Sequence, residues 1–250
     1  MESSAFTEAT ASTFHETGFA ILPDLYTDAE VAALLQCVES APASGPNFRR
    51  SQEVFAIRDL VGEVPGLWPL LDTAALRTLL TQLFPAGCHL VKAIYFDKPA
   101  LSNWLVAWHQ DLMINVDRRL NLAGFGPWTS KAEGVSVQPP VSVLENVCTL
   151  RIHLDNCDAS NGALKVVPGT HRQGALLPAA WAALTPAAEV CAVRAGGAML
   201  MRPLLLHASN RSTSPRPRRV IHLEFASAEL PAGLQWRERR EVPLLRGVAQ

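Results

Sequence analysis

The stretch VCTLRIHLDNCDASNGALKVVPG, residues 147–169, reads as strand, turn, strand. Its first run alternates. Thr149, Arg151, His153 and Asp155 fall on one face of a pleated strand, and Leu150, Ile152 and Leu154 fall on the other, because successive strand side chains point to opposite sides. The apolar face reads as a packing face. The Asn161-Gly162 pair then supplies a turn. The same texture continues in both directions: CHLVKAIYF, WLVAWHQDLMINV, GGAMLMRPLLLHAS and RRVIHLEFA are short strand-like runs separated by Gly, Pro, Asn and Asp. Many strands with few helices predict a sandwich or barrel.

Upstream the pattern changes. STFHETG fits a short helix stopped by Gly18, FAILP fits a strand, and TDAEVAALLQCVES fits a helix with Thr27 as N-cap and acids in its first turn. LLDTAALRTLLTQLFP (70–85) reads as one further helix, ended before Pro85. The chain is predicted to be one domain over residues 1–250: a mostly helical N-terminal part (1–87), a β core (88–227) and a C-terminal tail (228–250). Residues 117–140 form a long Gly- and Pro-rich stretch. Connections of that length in a compact domain are often lids or binding loops. Phe125 and Trp128 are its candidate substrate contacts.

The 250 residues, 48% hydrophobic and 18% charged, suffice for a sizeable core. Lys+Arg 22 against Asp+Glu 23 gives no reason to expect nucleic acid or an anionic membrane as partner. The basic runs PRPRR (215–219) and RERR (237–240) read as solvated surface or local ion pairing. The first residues lack the basic and apolar regions of a signal peptide, and no apolar run reaches the ~18 residues of a membrane span. Cys37, Cys88, Cys148, Cys157 and Cys191 are odd in number and show no CxxC spacing. That predicts reduced thiols in the cytoplasm and neither a disulfide framework nor a thiolate zinc site. The partner to expect is a small-molecule substrate.

The polar residues inside apolar runs carry the chemistry. In AWHQDLMINV (107–116), His109 and Asp111 lie two apart, on one side of a strand. An imidazole and a carboxylate are two thirds of the 2-His-1-carboxylate set that binds non-haem iron. A buried His–Asp hydrogen bond explains the pair equally. His207 closes the run AMLMRPLLLH before a polar stretch, where it can point into a cavity mouth. Arg218 follows 11 residues later, and a guanidinium there suits bidentate capture of a carboxylate. Strand periodicity does not choose between Arg218 and Arg219.

These motifs together resemble the phytanoyl-CoA dioxygenase family of Fe(II)/2-oxoglutarate oxygenases. TGFAILPDLYTDAEVAAL resembles that family's opening strand and helix, and WHQD its His-x-Asp motif. NCDASNGALKVVPGTHRQGAL resembles its Asn-Gly turn and Pro-Gly-Thr-His segment, and HASN followed by Arg218 resembles its distal histidine and arginine. The resemblance spans roughly residues 14–226.

It implies a mainly β fold with flanking helices: a double-stranded β-helix, or jelly roll (cupin-like), core with a helical N-terminal part. It implies Fe(II) at His109, Asp111 and His207, with Arg218 on the C5 carboxylate of 2-oxoglutarate and O2 as the oxidant. Hydroxylation with release of succinate and CO2 would follow, since Asp111 stands where halogenating relatives carry Ala or Gly. His171 is implied to shape the fold.

Two departures touch the substrate side. The 117–140 stretch is longer than the minimal pattern, and Arg151 stands where many relatives carry an aromatic or apolar residue. The resemblance turns the Arg151 face into the barrel near the 2-oxoglutarate pocket. A buried guanidinium must meet an anion: an internal carboxylate such as Asp155 or Glu224, a substrate carboxylate, or 2-oxoglutarate. Lys92 is a second candidate for that task. The expected substrate is small, with or without a carboxylate. The alternatives are another metal-dependent cupin-like enzyme, which needs no Arg218, and a non-catalytic family member acting as a binding protein.

Overall fold

The structure, a computed structural model, describes residues 6–42, 44–50, 54–98, 105–132 and 134–243. Helix α1 (Glu8–Thr17) opens where the Thr7 hydroxyl accepts from the Thr10 N–H, and it closes at Gly18, whose φ of 85° suits glycine. Strand β1 (Phe19–Leu22) leads to α2 (Asp28–Glu39), where Thr27 and Glu30 cap each other's backbone reciprocally. Two strands that patterning did not predict follow, β2 (Phe48–Arg50) and β3 (Val54–Arg58), then the short helices α3 (Leu60–Glu63) and α4 (Leu67–Leu71). The helix predicted over 70–85 is broken. The Thr73 hydroxyl accepts from the Leu76 N–H and so starts a new helix, α5 (Ala74–Leu83).

The strand-rich part begins with β4 (His89–Asp97), β5 (Val106–His109), β6 (Ile114–Val116), β7 (Trp128–Lys131) and β8 (Gly134–Val137). It continues through α6 (Val141–Leu144), β9 (Val147–His153), β10 (Leu164–Val166), α7 (Pro178–Leu184), β11 (Glu189–Val190) and β12 (Ala198–Met201). It ends with β13 (His207–Ser209), β14 (Arg219–Ala226) and β15 (Arg240–Glu241).

The strands form three antiparallel sheets. The largest has the order β1-β12-β9-β14-β4-β3-β2, with β15 also on β4; the second is β11-β10-β13-β5; the third is β6-β8-β7. Side chains from β4, β9 and β14 and from β5, β10 and β13 line one interior cavity. The first two sheets therefore face each other as a jelly roll. The alternation read in the sequence of β9 explains its place. Leu150 and Ile152, with Ile221, Leu223 and Phe225 of β14, join one apolar cluster with Leu34 of α2, Leu67 of α4 and Leu76, Leu79 and Leu80 of α5. Burying each such side chain contributes roughly 1.5–3 kcal/mol. The opposite face of the sheet, with Arg151, His222 and Glu224 among its side chains, is turned inward and is equally buried.

Two sequence-level strands are not continuous. The run 107–116 leaves strand geometry after His109 and resumes at Ile114. The run ending in His207 divides at Arg202. β12 stays in the large sheet, and His207 opens β13 in the second sheet rather than closing the first strand. Residues 117–140 contain the β7–β8 hairpin, which pairs with β6. The tail packs back too: Trp236 bridges to Val116 and is buried, and β15 adds to β4.

Leu223 is fully buried between sheet and helices, whereas Leu177 is 76% exposed. Leu223→Ala should lower the unfolding free energy by about 2–5 kcal/mol, and Leu177→Ala should change it by less than about 0.5 kcal/mol. Chemical denaturation of the two variants measures both.

Candidate metal centre and its two chambers

His109 ends β5 and His207 begins β13, and the two are register partners on adjacent strands. Their rings lie 4.1 Å apart, centroid to centroid. Asp111 reaches the same point from outside any strand, where its N–H donates to the Pro203 carbonyl at 2.9 Å. The pair therefore converges, but not through the pleat of a single strand. His109 Nε2 lies 3.7 Å from one Asp111 oxygen and His207 Nε2 lies 3.7 Å from the other. All three ligand atoms fall within 4.8 Å of one another.

The far ring nitrogens fix the tautomers. His109 Nδ1 donates to the Ala107 carbonyl at 2.8 Å and His207 Nδ1 to the Leu205 carbonyl at 2.9 Å. In the neutral rings both Nε2 lone pairs are then left facing the carboxylate. Burial lowers His207 to about 4, so it is neutral at pH 7. Burial opposes ionisation of Asp111, but His207, His222, His109 and Lys92 outweigh it and hold the carboxyl at about 2. Two imidazoles and a carboxylate, converging with open space beside them, form a donor set for a divalent transition metal.

Two chambers meet at this trio. The inner one, about 250 Å³, is walled by Phe96, Arg151, Leu164, Ser209, Arg218 and His222. Arg218 donates from Nη1 to the Gly162 carbonyl at 2.7 Å. Gly162 sits at φ +83°, and an added Cβ would come within 2.9 Å of the Asn210 carbonyl, so the Asn161-Gly162 turn needs its glycine to set that contact. Arg219 points elsewhere: it pairs with Asp155 at 2.8 Å and with Glu39 at 2.9 Å. Among the described residues neither Arg151 nor Arg218 has a carboxylate partner. Arg151 Nε, Arg218 Nε, Ser209 Oγ, Thr149 Oγ1 and both ring nitrogens of His153 are buried with no hydrogen-bond partner. Folded interiors seldom leave donors unpaired. Of these residues Arg151, Arg218 and Ser209 line the chamber, and together they fit a small guest rich in acceptor oxygens.

The outer chamber, about 360 Å³, shares His109 and Asp111 with the inner one and is walled by polar side chains, including Asn47, Arg58, Asp59, Lys131, Arg237 and Glu238, together with the apolar Ile94, Leu112 and Met113. Lys92 also lines it, but its Nζ is engaged by Glu224 at 2.8 Å and by the Met113 carbonyl at 3.1 Å. Phe125 and Trp128 are not on this wall; both pack against the cluster of Val91, Ile114, Val116 and Val137. What the 117–140 segment contributes is Thr129, Lys131, Gly134 and Ser136.

Sequence reasoning missed Arg58, Asp59, Arg237, Glu238 and Ser209. Arg239 forms surface ion pairs with Glu229 and Glu241, as expected for the RERR run. Its neighbours do not: Glu238 accepts from the Ala93 N–H at 2.8 Å and from Asn115 Nδ2 at 3.1 Å, and burial pushes its carboxyl up to about 7. The available signal was the position of Glu238 two residues after a tryptophan, since a buried Trp236 anchors that segment. His171 is tied to backbone here, with Nε2 3.2 Å from the His15 carbonyl.

The sequence profile described as phytanoyl-CoA dioxygenase (PhyH) matches residues 14–220. No curated protein sequence matches the chain. Solved structures are similar in fold. EctD from S. alaskensis with bound Fe superposes with a TM-score of 0.73 at 19% identity, covering 99% of this chain and 90% of that one. EvdO2 from Micromonospora carbonacea var. aurantiaca, complexed with 2-oxoglutarate, gives 0.63 at 20% identity over 89% and 91% of the two chains. The non-haem alpha-ketoglutarate-dependent carbocyclase SnoK from nogalamycin biosynthesis gives 0.67 at 15% identity over 99% and 96%.

The site geometry sets an expectation for metal binding. His207→Ala, His109→Ala and Asp111→Ala should each remove stoichiometric Fe(II) binding under anaerobic conditions while the circular dichroism stays that of the parent protein, because a three-ligand site loses its geometry with any one ligand. Parent-like metal affinity in any of the three variants would take that residue out of the set.

Proposed function

The chain belongs to the phytanoyl-CoA dioxygenase family of Fe(II)/2-oxoglutarate-dependent oxygenases, and from that premise we propose that it hydroxylates a small polar substrate at a centre formed by His109, Asp111 and His207. The observation that carries this reading is the pairing of the converging trio with an adjoining chamber that holds two guanidinium groups with no carboxylate partner among the described residues and with their Nε atoms unbonded. Fe(II) there, with O2 and 2-oxoglutarate, supplies oxidative decarboxylation to succinate and CO2 coupled to transfer of one oxygen atom into a substrate C–H bond.

The chain's own residues set the conditions. His109 and His207 present Nε2 lone pairs because Ala107 and Leu205 fix their tautomers. Asp111 supplies the one anionic ligand. Arg218, held by Gly162 and beside the free hydroxyl of Ser209, receives the C5 carboxylate of 2-oxoglutarate. The buried walls of the inner chamber keep bulk water from the co-substrate. Lys92, neutralised by Glu224, serves the wall between the chambers and is not a free cation for either ligand.

The outer chamber receives the substrate. Its volume of about 360 Å³ lies at the small end for small-molecule sites. Its lining mixes cations with carboxylates, which selects a hydrogen-bonding molecule over a long acyl chain. Lys131 and Arg237, which line it, are the side chains this reading assigns to a substrate carboxylate. The β7–β8 hairpin covers this chamber in the proposal and supplies Lys131 and Ser136 as its contacts.

Arg218→Ala should weaken anaerobic 2-oxoglutarate binding to the Fe(II)-loaded protein by about 30- to 1000-fold, the equivalent of roughly 2–4 kcal/mol for a charge-assisted bidentate contact. Arg219→Ala should change it by less than about threefold. The charge-transfer absorption of the complex reads both. A larger effect in Arg219→Ala would reverse the assignment of the two arginines.

A further inference from the structure

The assignments above leave Arg151 without a task. It lies on the inward face of β9, in register with His222 of β14, and is 7% exposed. Its Nη1 meets His222 Nδ1 at 2.9 Å, its guanidinium carbon lies 5.8 Å from the Phe96 ring centre, and its Nε has no partner. The internal carboxylates that sequence reasoning offered are taken. Asp155 is bound by Arg219, and Glu224 by Lys92 and His222. Burial and the nearby charge of Arg218 bring the Arg151 guanidinium down to about 10, so it remains a cation at neutral pH. Among the described residues the inner chamber thus holds two arginines and no counter-ion besides Asp111, the candidate metal ligand.

The two enter at different depths. Arg218 stands just before β14, at the end marked by Gly162 and by the Leu164–Ser209 pair. His222 is four residues further along, about 13 Å of extended backbone. Arg151, level with His222, therefore enters at a different depth from Arg218, in the same chamber as His109, Asp111 and His207. Its direction is fixed by a buried chain. His222 Nδ1 accepts from Arg151, so His222 Nε2–H donates to Glu224 at 3.1 Å, and Glu224 also accepts from Lys92 at 2.8 Å.

We propose that Arg151 is a second co-substrate arginine, which binds the C1 carboxylate end of 2-oxoglutarate beside the metal while Arg218 binds the C5 carboxylate. Two guanidiniums then meet two carboxylates, and the orphaned Arg151 Nε gains its acceptor. This rests on the co-substrate reading above. It also moves Arg151 away from substrate recognition and leaves the substrate's own anionic group to the outer chamber.

Truncated co-substrates separate the two ends. The probes are 2-oxoglutarate and 2-oxopentanoate, which keeps the 2-oxo acid end but lacks the C5 carboxylate, each titrated calorimetrically into Mn(II)-loaded protein without O2. Arg218→Ala should weaken 2-oxoglutarate by about tenfold or more and leave 2-oxopentanoate within about twofold. Arg151→Ala should weaken both by about tenfold or more. Arg151→Lys keeps the charge but not the fork and should still lose at least about threefold for 2-oxopentanoate; it serves as the deciding variant if Arg151→Ala does not fold. Unchanged 2-oxopentanoate affinity in the Arg151 variants overturns the proposal, whether or not their 2-oxoglutarate affinity falls. If Arg218→Ala leaves 2-oxoglutarate binding intact, the co-substrate reading fails instead.

Discussion

Two guanidinium groups enclosed in the barrel without a carboxylate partner are the constraint around which the rest of the structure is arranged. An isolated buried charge costs several kcal/mol even after relaxation, and a donor left unpaired adds about 1–3 kcal/mol more. A fold keeps such groups only where the surrounding packing is strong and where a ligand completes them. The packing comes from the other face of the same strands. Leu150, Ile152, Ile221, Leu223 and Phe225 lock β9 and β14 under the N-terminal helices. The alternation of a strand thus builds the stable face and the costly face from one run of residues.

The metal trio sits where these demands meet. His109 and His207 come from adjacent strands of the second sheet, and Asp111 comes from the irregular segment that follows β5. Each chamber lies against the trio, so a ligand in the inner chamber and one in the outer chamber approach the same point from two sides. The buried run Arg151–His222–Glu224–Lys92 crosses the large sheet between them. Charge in one chamber is therefore set against charge in the other through hydrogen-bonded neighbours, with little solvent to screen it.

Much of this was legible in residue types and little of it in geometry. His109, Asp111 and His207 stood out because polar side chains interrupt apolar runs, yet the pleat argument for the first pair does not hold, since β5 ends at His109. Arg218 and Arg219 could not be told apart by period, because both faces of β14 are covered. Their partners decide: Asp155 and Glu39 draw Arg219 outward. Thr73 was a readable N-cap inside a run taken as one helix. β2 is only three residues, Phe48–Arg50, too few to show alternation. Arg237 and Glu238 were marked only by the nearby Trp236, and their place depends on Trp236 docking against β6, a contact between segments more than a hundred residues apart. Phe125 and Trp128, aromatic residues in a Gly-rich stretch, are half-buried against the cluster of Val116 and Val137 and do not line the outer chamber.

The central claim is that these residues run O2 chemistry driven by 2-oxoglutarate, and the label of the product succinate tests it most directly. The purified protein, loaded with Fe(II) and supplied with 2-oxoglutarate and ascorbate as reductant, is incubated under 18O2, and the succinate is analysed by mass spectrometry. The account requires succinate that carries one 18O atom, formed only when iron, O2 and 2-oxoglutarate are all present and absent from the His207→Ala protein. Succinate without label, or no succinate from protein that binds both iron and 2-oxoglutarate, would contradict it.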